Sequence, residues 1–168
     1  MKPILLSILL LVTITAFTQA DKSKRPSPPA IVTETLSCGT VVTIDYSQPS
    51  LKGRAIGTEV APYGEVWRTG ANEATVFEVS KDVKVEGQAL AAGKYGLYSI
   101  PGDKEWVFIF NKTWKQWGTR YTESDDALRI KVIPGKSASA TEKLTFTINK
   151  SGIVSLFWGE VQADFRVE

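Results

Sequence analysis

The chain has 168 residues, and its 20 basic against 18 acidic side chains give a formal net charge of +2, too even a balance to favour nucleic acid or an anionic membrane. It has no histidine, one cysteine, and one methionine, the initiator. These counts exclude Ser-His-Asp and Cys-His triads, a histidine general base, an intrachain disulfide, and the imidazole and thioether ligands usual for zinc, copper and iron. Any metal would be a hard cation held by oxygen ligands; no metal site and no cofactor is expected.

Residues 1–20 have the layout of a secretory signal. Lys2 supplies the positive start, Ile4 to Phe17 is apolar except for Ser7, Thr13 and Thr15, and Thr18-Gln19-Ala20 offers small residues at the cleavage positions. An apolar run of about 14 residues is short of the roughly 20 that cross a bilayer as a helix. The expectation is cleavage near Ala20, no stable membrane anchor afterwards, and a periplasmic or secreted product. No cysteine follows the run closely enough for lipid attachment; Cys38 lies too far downstream. That cysteine could be a free thiol, a dimer crosslink or a small hydrophobe at a strand edge.

Residues 21–30, with Pro26, Pro28 and Pro29, read as an extended linker, and the basic stretch Lys22 to Arg25 as a solvated tail. Residues 31–168 form one domain, a normal size for a single core. Apolar residues recur there with period two: Val42, Ile44, Tyr46; Thr75, Phe77, Val79; and Val83, Val85, turning at Glu86-Gly87 toward Leu90. Lys94–Ile100 and Glu105–Asn111 flank Pro101-Gly102-Asp103-Lys104 and are apolar on both faces, as in a central hairpin. Leu128, Ile130 and Val132 alternate next. Leu144, Phe146 and Ile148 turn at Asn149–Gly152 into Ile153–Trp158, and a last strand carries Val161, Ala163, Phe165 and Val167 with Gln162, Asp164 and Arg166 facing water. One helical turn is placed within Thr113–Gly118. The pattern predicts an all-β chain, a single antiparallel β-sandwich, jelly-roll-like or related, of eight to ten strands.

Three stretches are too particular to be generic β sequence. They are Gly64-Glu65-Val66-Trp67-Arg68-Thr69-Gly70-Ala71-Asn72-Glu73-Ala74-Thr75, then Ala92–Gly102 with its Gly93-Lys94-Tyr95-Gly96-Leu97-Tyr98 centre, then Glu105-Trp106 through Phe110-Asn111-Lys112 with Gln116-Trp117-Gly118. In order and spacing they resemble the bacterial exported family catalogued as domain of unknown function 2911, from about Val42 to the C-terminus. The resemblance implies a secreted or periplasmic β-sandwich from Gram-negative bacteria and carries no activity with it. The chain departs at Gly57-Thr58, where the family more often has a bulky apolar residue before the glycine.

Two segments could hold a ligand. In the first, Arg68 would grip a carboxylate or sugar hydroxyls, Asn72 would orient them and Glu73 would accept a hydrogen bond beside Trp67. The alternative is a staple, with Arg68 paired to Glu73 or another acid and Trp67 plugging the core. In the second, Trp114, Gln116 and Trp117, near Tyr121, could stack on sugar rings or grip a peptide, or could cap the open end of the sandwich. Glu123, Asp125 and Asp126 read as a solvated acidic turn. Three functional readings follow: a non-catalytic exported binding domain for a glycan or peptide, a carboxylate-only hydrolase of an envelope glycan using Glu73 with Glu78 or Asp164, and a structural envelope component.

Overall fold

The computed structural model describes residues 21–168; the signal-peptide reading of residues 1–20 lies outside the described residues. The strands in chain order are β1 (Pro29–Thr35), β2 (Val41–Ser47), β3 (Ile56–Gly57), β4 (Val60–Pro62), β5 (Thr75–Val79), β6 (Val83–Val85), β7 (Gln88–Leu90), β8 (Gly93–Ile100), β9 (Trp106–Asn111), β10 (Asp126–Val132), β11 (Gly135–Ile148) and β12 (Ile153–Arg166). Six of them form one antiparallel sheet in the order β1-β2-β5-β8-β9-β10, and β11 with β12 makes a long hairpin across it. The small pairs β3-β4 and β6-β7 complete an all-β, sandwich-like arrangement.

Strand alternation explains which side chains meet. Phe77 on β5, Phe108 and Phe110 on β9 and Phe165 on β12 all point between the layers. Their ring centroids are 5.0 Å apart for Phe77–Phe110 and 4.9 Å for Phe108–Phe165, with each ring buried. Edge-on and tilted contacts of this kind add to the area they remove from water. Tyr46 on β2 ties the layers with a polar contact: its hydroxyl accepts the Phe146 backbone N–H of β11 at 3.1 Å, and the two rings meet edge-on at 5.0 Å.

The expected central hairpin is β8–β9, and its second apolar face has a physical cause. Tyr98 and Ile109 point away from the main core, yet both are buried, in a smaller cluster with Ala74 that Tyr121, Ile100 and Val107 pack against. The segment from Thr113 to Asp125 covers that cluster. Asn111, at the end of β9, holds it at both ends: its amide donates to Thr122 O at 2.9 Å and to Asp126 Oδ1 at 2.8 Å, and its side-chain oxygen accepts the Thr113 N–H at 2.9 Å. Gly96 lets the segment lie flat, because a Cβ there would stand 3.2 Å from Thr113 O and 3.0 Å from the Tyr98 ring.

Several expectations are corrected. Thr113–Gly118 has no helical turn; the 3-10 turns are at Lys22–Lys24 and Glu123–Asp125. The two C-terminal strands are one continuous β12, so the hairpin is longer than alternation suggested. Asp164 does not simply face water: one carboxylate oxygen accepts from Gln162 at 2.8 Å and the other is buried without a partner. Residues 21–30 are not a free linker, since Pro29 and Ala30 open β1 and the Gln48 N–H donates to Pro28 O. At Gly57, the position of the departure, the Tyr63 ring occupies the space a side chain would need.

The phenylalanine cluster gives a direct test of the layer packing. Phe165→Ala should lower unfolding stability by about 3–5 kcal/mol, the range for truncating a buried aromatic, read from denaturant melts. A loss under about 1 kcal/mol would mean that β12 does not anchor the sandwich through this ring.

Candidate functional site

The segment joining β4 to β5 decides where the candidate side chains go. Val66 to Thr69 runs beside β8, with Trp67 and Ser99 exchanging backbone hydrogen bonds of 2.7 and 2.8 Å. The chain then makes a tight detour before β5 begins at Thr75. Thr69 and Asn72 both hold left-handed backbone, with φ of 51° and 61°; for a β-branched threonine this is a strained conformation. Two buried hydrogen bonds hold it, Thr69 Oγ1 to Ser99 Oγ at 3.0 Å and Thr75 Oγ1 to Thr69 O at 3.0 Å. The detour puts Arg68 and Glu73 into different clefts rather than against one another.

The first cleft lies on the outer face of the sheet and encloses about 340 Å³. Asp45 of β2 and Val76 of β5, which face each other in register, line its floor. Trp114 and Gln116 form one wall, and Lys22 and Pro29 contribute the N-terminal side. Glu73 sits at the edge in the grip of two cations, Lys22 Nζ at 3.0 Å and Arg25 Nη1 at 2.8 Å. Burial alone would raise the Glu73 pKa, but its own backbone N–H and the two cations outweigh that and bring it from 4.5 to about 2.

Asp45 behaves in the opposite sense. Solvent reaches it, but the surrounding cleft excludes enough water to push its pKa up; Glu73 adds to the rise, and Lys22 and Lys94 oppose it. Among the described residues its carboxylate has no hydrogen-bond or ion-pair partner, whereas Glu78 pairs with Lys94 at 3.2 Å. The Lys94 ammonium also lies 5.3 Å from the Trp114 ring centroid, a cation–π contact that steadies the wall.

The second cleft, of about 370 Å³, is lined by Val66, Trp67, Arg68, Tyr98, Gly118, Thr119 and Tyr121. The aliphatic stem of Arg68 lies over Gly118, where a Cβ would collide with Arg68 Cδ. The anticipated Arg68–Glu73 pair does not form, and no carboxylate of the described residues makes an ion pair with Arg68. Its Nε is buried without a partner. Burial lowers its pKa, with a smaller opposing influence from Tyr98.

The expected patch is thus divided. Glu73, Trp114 and Gln116 meet at the first cleft, and Trp67 and Arg68 at the second. Trp67 is mostly a core residue, stacked on Trp158 at 5.4 Å with planes 9° apart. The Gln116 amide is taken up by Tyr98 Oη at 3.1 Å and Thr113 O at 3.0 Å. Asn72 and Trp117 line neither cleft. Asn72 is a fastener, its side-chain amide donating to Ser27 O at 3.0 Å and Ser47 Oγ at 3.2 Å while its backbone carbonyl accepts the Gly118 N–H. Trp117 bridges to Glu73 through the backbone and is itself 48% exposed. The acidic turn is engaged rather than merely solvated: Arg129 pairs with Asp126 at 2.7 Å and Glu123 at 2.9 Å, and Asp125 accepts the Thr113 hydroxyl at 2.8 Å.

Sequence reasoning missed Asp45 and Lys22. Asp45 sits at a water-facing position of an alternating strand, and Lys22 in a stretch that reads as a tail, so neither carries a local signal.

A family model matches residues 27–167. The chain belongs to the family described as Protein of unknown function (DUF2911). The matched span takes in both clefts except for Lys22, and it begins after Arg25, the second cation on Glu73. No curated protein and no solved structure matches the chain.

The clamp on Glu73 has a defined pH signature. Its folded pKa lies below the ordinary value, so the clamp adds stability that is full above about pH 4.5 and fades as the pH falls toward 2. In a chain starting at Asp21, the stability difference between wild type and the Lys22→Ala, Arg25→Ala double variant should therefore be constant near neutrality and shrink below pH 4.5. A difference that stays unchanged down to about pH 2 would show that the two cations act through something other than the Glu73 charge.

Proposed function

We propose that the protein is an exported, non-catalytic binding domain whose first cleft takes one ring of a hydroxyl-rich ligand, of the kind a glycan presents. The observation that carries this is Asp45, a carboxylate without a protein partner among the described residues, in the same cleft as Trp114. A free carboxylate can accept two neighbouring hydroxyls, and an indole offers an apolar face to the C–H side of a sugar ring. The volume lies near the lower end of ordinary ligand pockets, about 300–1,000 Å³. The export part rests on the Lys2 start, the apolar run and Thr18-Gln19-Ala20.

One observation favours a second reading, a carboxylate-only glycan hydrolase. Asp45 and Glu73 line one cleft with their pKa values pushed in opposite directions, the pattern of a general acid beside an ionised carboxylate. Against it, both Glu73 oxygens accept from Arg25, and Lys22 adds a third contact, so the ionised partner is tied down. The pairs with Glu78 or Asp164 have less support still: Glu78 is bound to Lys94, and Asp164 lies on β12, bonded to Gln162. The structural-component reading is weakened by Arg68, which pairs with no acid among the described residues and whose Nε is buried without a partner.

A panel of neutral glycans titrated against the chain starting at Asp21, followed by tryptophan fluorescence, tests the binding reading. Trp114→Ala and Asp45→Asn should each weaken the best ligand by about tenfold or more, the effect of one lost stacking or charged hydrogen-bond contact. Undiminished binding in both variants would remove this cleft from consideration. Release of reducing ends, abolished by Asp45→Asn, would favour the hydrolase instead.

Export has its own measurement. Intact mass of the protein recovered from the envelope or the medium of a Gram-negative host should place the N-terminus at Asp21. Recovery only from the cytoplasm, with residues 1–20 retained, would contradict it.

A further inference from the structure

We propose that the second cleft is a separate binding site for a monocarboxylate that carries a small apolar group, with Arg68 as its anchor. This site stands independently of the glycan reading, since it lies in a different cleft and uses different residues.

The argument starts from an uncompensated cation. A buried N–H on a charged group that lacks a partner is costly, and such groups are uncommon in folded proteins unless water, a ligand or an ion completes them. Arg68 Nε is in that state, and no acid of the described residues is paired with the guanidinium. The nearby acids are already committed. Asp126 accepts from Tyr121 Oη at 2.7 Å and from Arg129, and Glu123 also holds Arg129. Tyr98 Oη donates to Arg120 O at 2.9 Å and accepts from Gln116 at 3.1 Å, and it makes no hydrogen bond with Arg68.

The rest of the cleft defines the partner. The stem of Arg68 is fixed over Gly118, so the guanidinium is held in position rather than free to swing to another acid. Val66, 41% exposed, and the Tyr121 ring supply apolar walls, while the Trp67 ring is turned into the core against Trp158. A planar guanidinium fork matches a carboxylate, and a single lining cation neutralises a monoanion but leaves a phosphate dianion with excess charge. A carboxylate with an apolar body therefore fits both the charge and the walls.

Nitrogen-15 NMR of the Arg Nε–Hε groups reads the site directly, with the Arg68 resonance assigned by its loss in Arg68→Lys. The probes are N-acetyl-leucine, its amide, inorganic phosphate and sodium chloride at matched ionic strength. The expected result is a saturable shift of the Arg68 Hε signal with N-acetyl-leucine and little or none with the amide. Arg68→Lys, which keeps the charge but not the fork, should bind the acid at least about tenfold more weakly while melting near the wild-type temperature. No shift at saturating acid would overturn the proposal. Equal shifts with chloride, or a stronger response to phosphate than to the carboxylate, would overturn it as well. Trp114→Ala should leave this titration unchanged, so that failure here and failure of the glycan reading remain distinguishable.

Discussion

The hydroxyl of Tyr98, donating to the Arg120 carbonyl and accepting from Gln116, is the contact on which both clefts depend. Tyr98 stands on the face of β8 turned away from the main core, where an uncovered ring of that size would lose the benefit of burial. The segment after β9 covers it, and Asn111 fixes that segment where it leaves and where it returns. Everything that follows is placed by this cover. Trp114 and Gln116 become the wall of one cleft, while Tyr98 itself, Thr119 and Tyr121 line the other. A sandwich with a bare outer face would have neither.

The same cover explains the unequal treatment of charge. Most charged groups on this face are matched locally: Glu73 with Lys22 and Arg25, Glu78 with Lys94, Arg129 with Asp126 and Glu123. Such pairs are partly exposed and worth little individually. Against that background Asp45 and Arg68 stand out, one in each cleft, and the strained detour at Thr69 and Asn72 keeps the arginine away from the acids that could satisfy it. An acid and an arginine that no residue of opposite charge answers, each lining a cleft, suit recognition better than stapling.

The basic stretch after the signal-like segment changes meaning in the same way. Four residues that read as a solvated tail include two that clamp Glu73, and the following Ser27 carbonyl accepts from Asn72. Glu73 is itself a strand-edge neighbour of Trp117 through the backbone. The N-terminal segment is therefore part of the first cleft rather than a spacer ahead of the domain. Its clamp on Glu73 is electrostatic and hence sensitive to salt and acid, unlike the phenylalanine-filled interior.

Alternation by itself determined that this chain is all-β, where its main hairpins turn, and which phenylalanines enter the core, because period two fixes the face of every residue once a strand is recognised. The absence of histidine likewise settled, without coordinates, which catalytic machinery is excluded. What alternation could not reveal is which outward-facing residues stay in water. Tyr98 and Ile109 read as the second face of a central hairpin, and only the returning segment shows what buries them. Asp45 reads as one more solvated strand residue, and only the approach of Trp114 and Lys22 makes a cleft of it. Arg68 and Glu73, five residues apart, read as a shared ligand cup or an internal pair, and only the left-handed turn at Thr69 and Asn72 sends them to different clefts. In each case the deciding contact is long-range in sequence or depends on a backbone conformation that the residue type does not announce, so tertiary structure alone could place it.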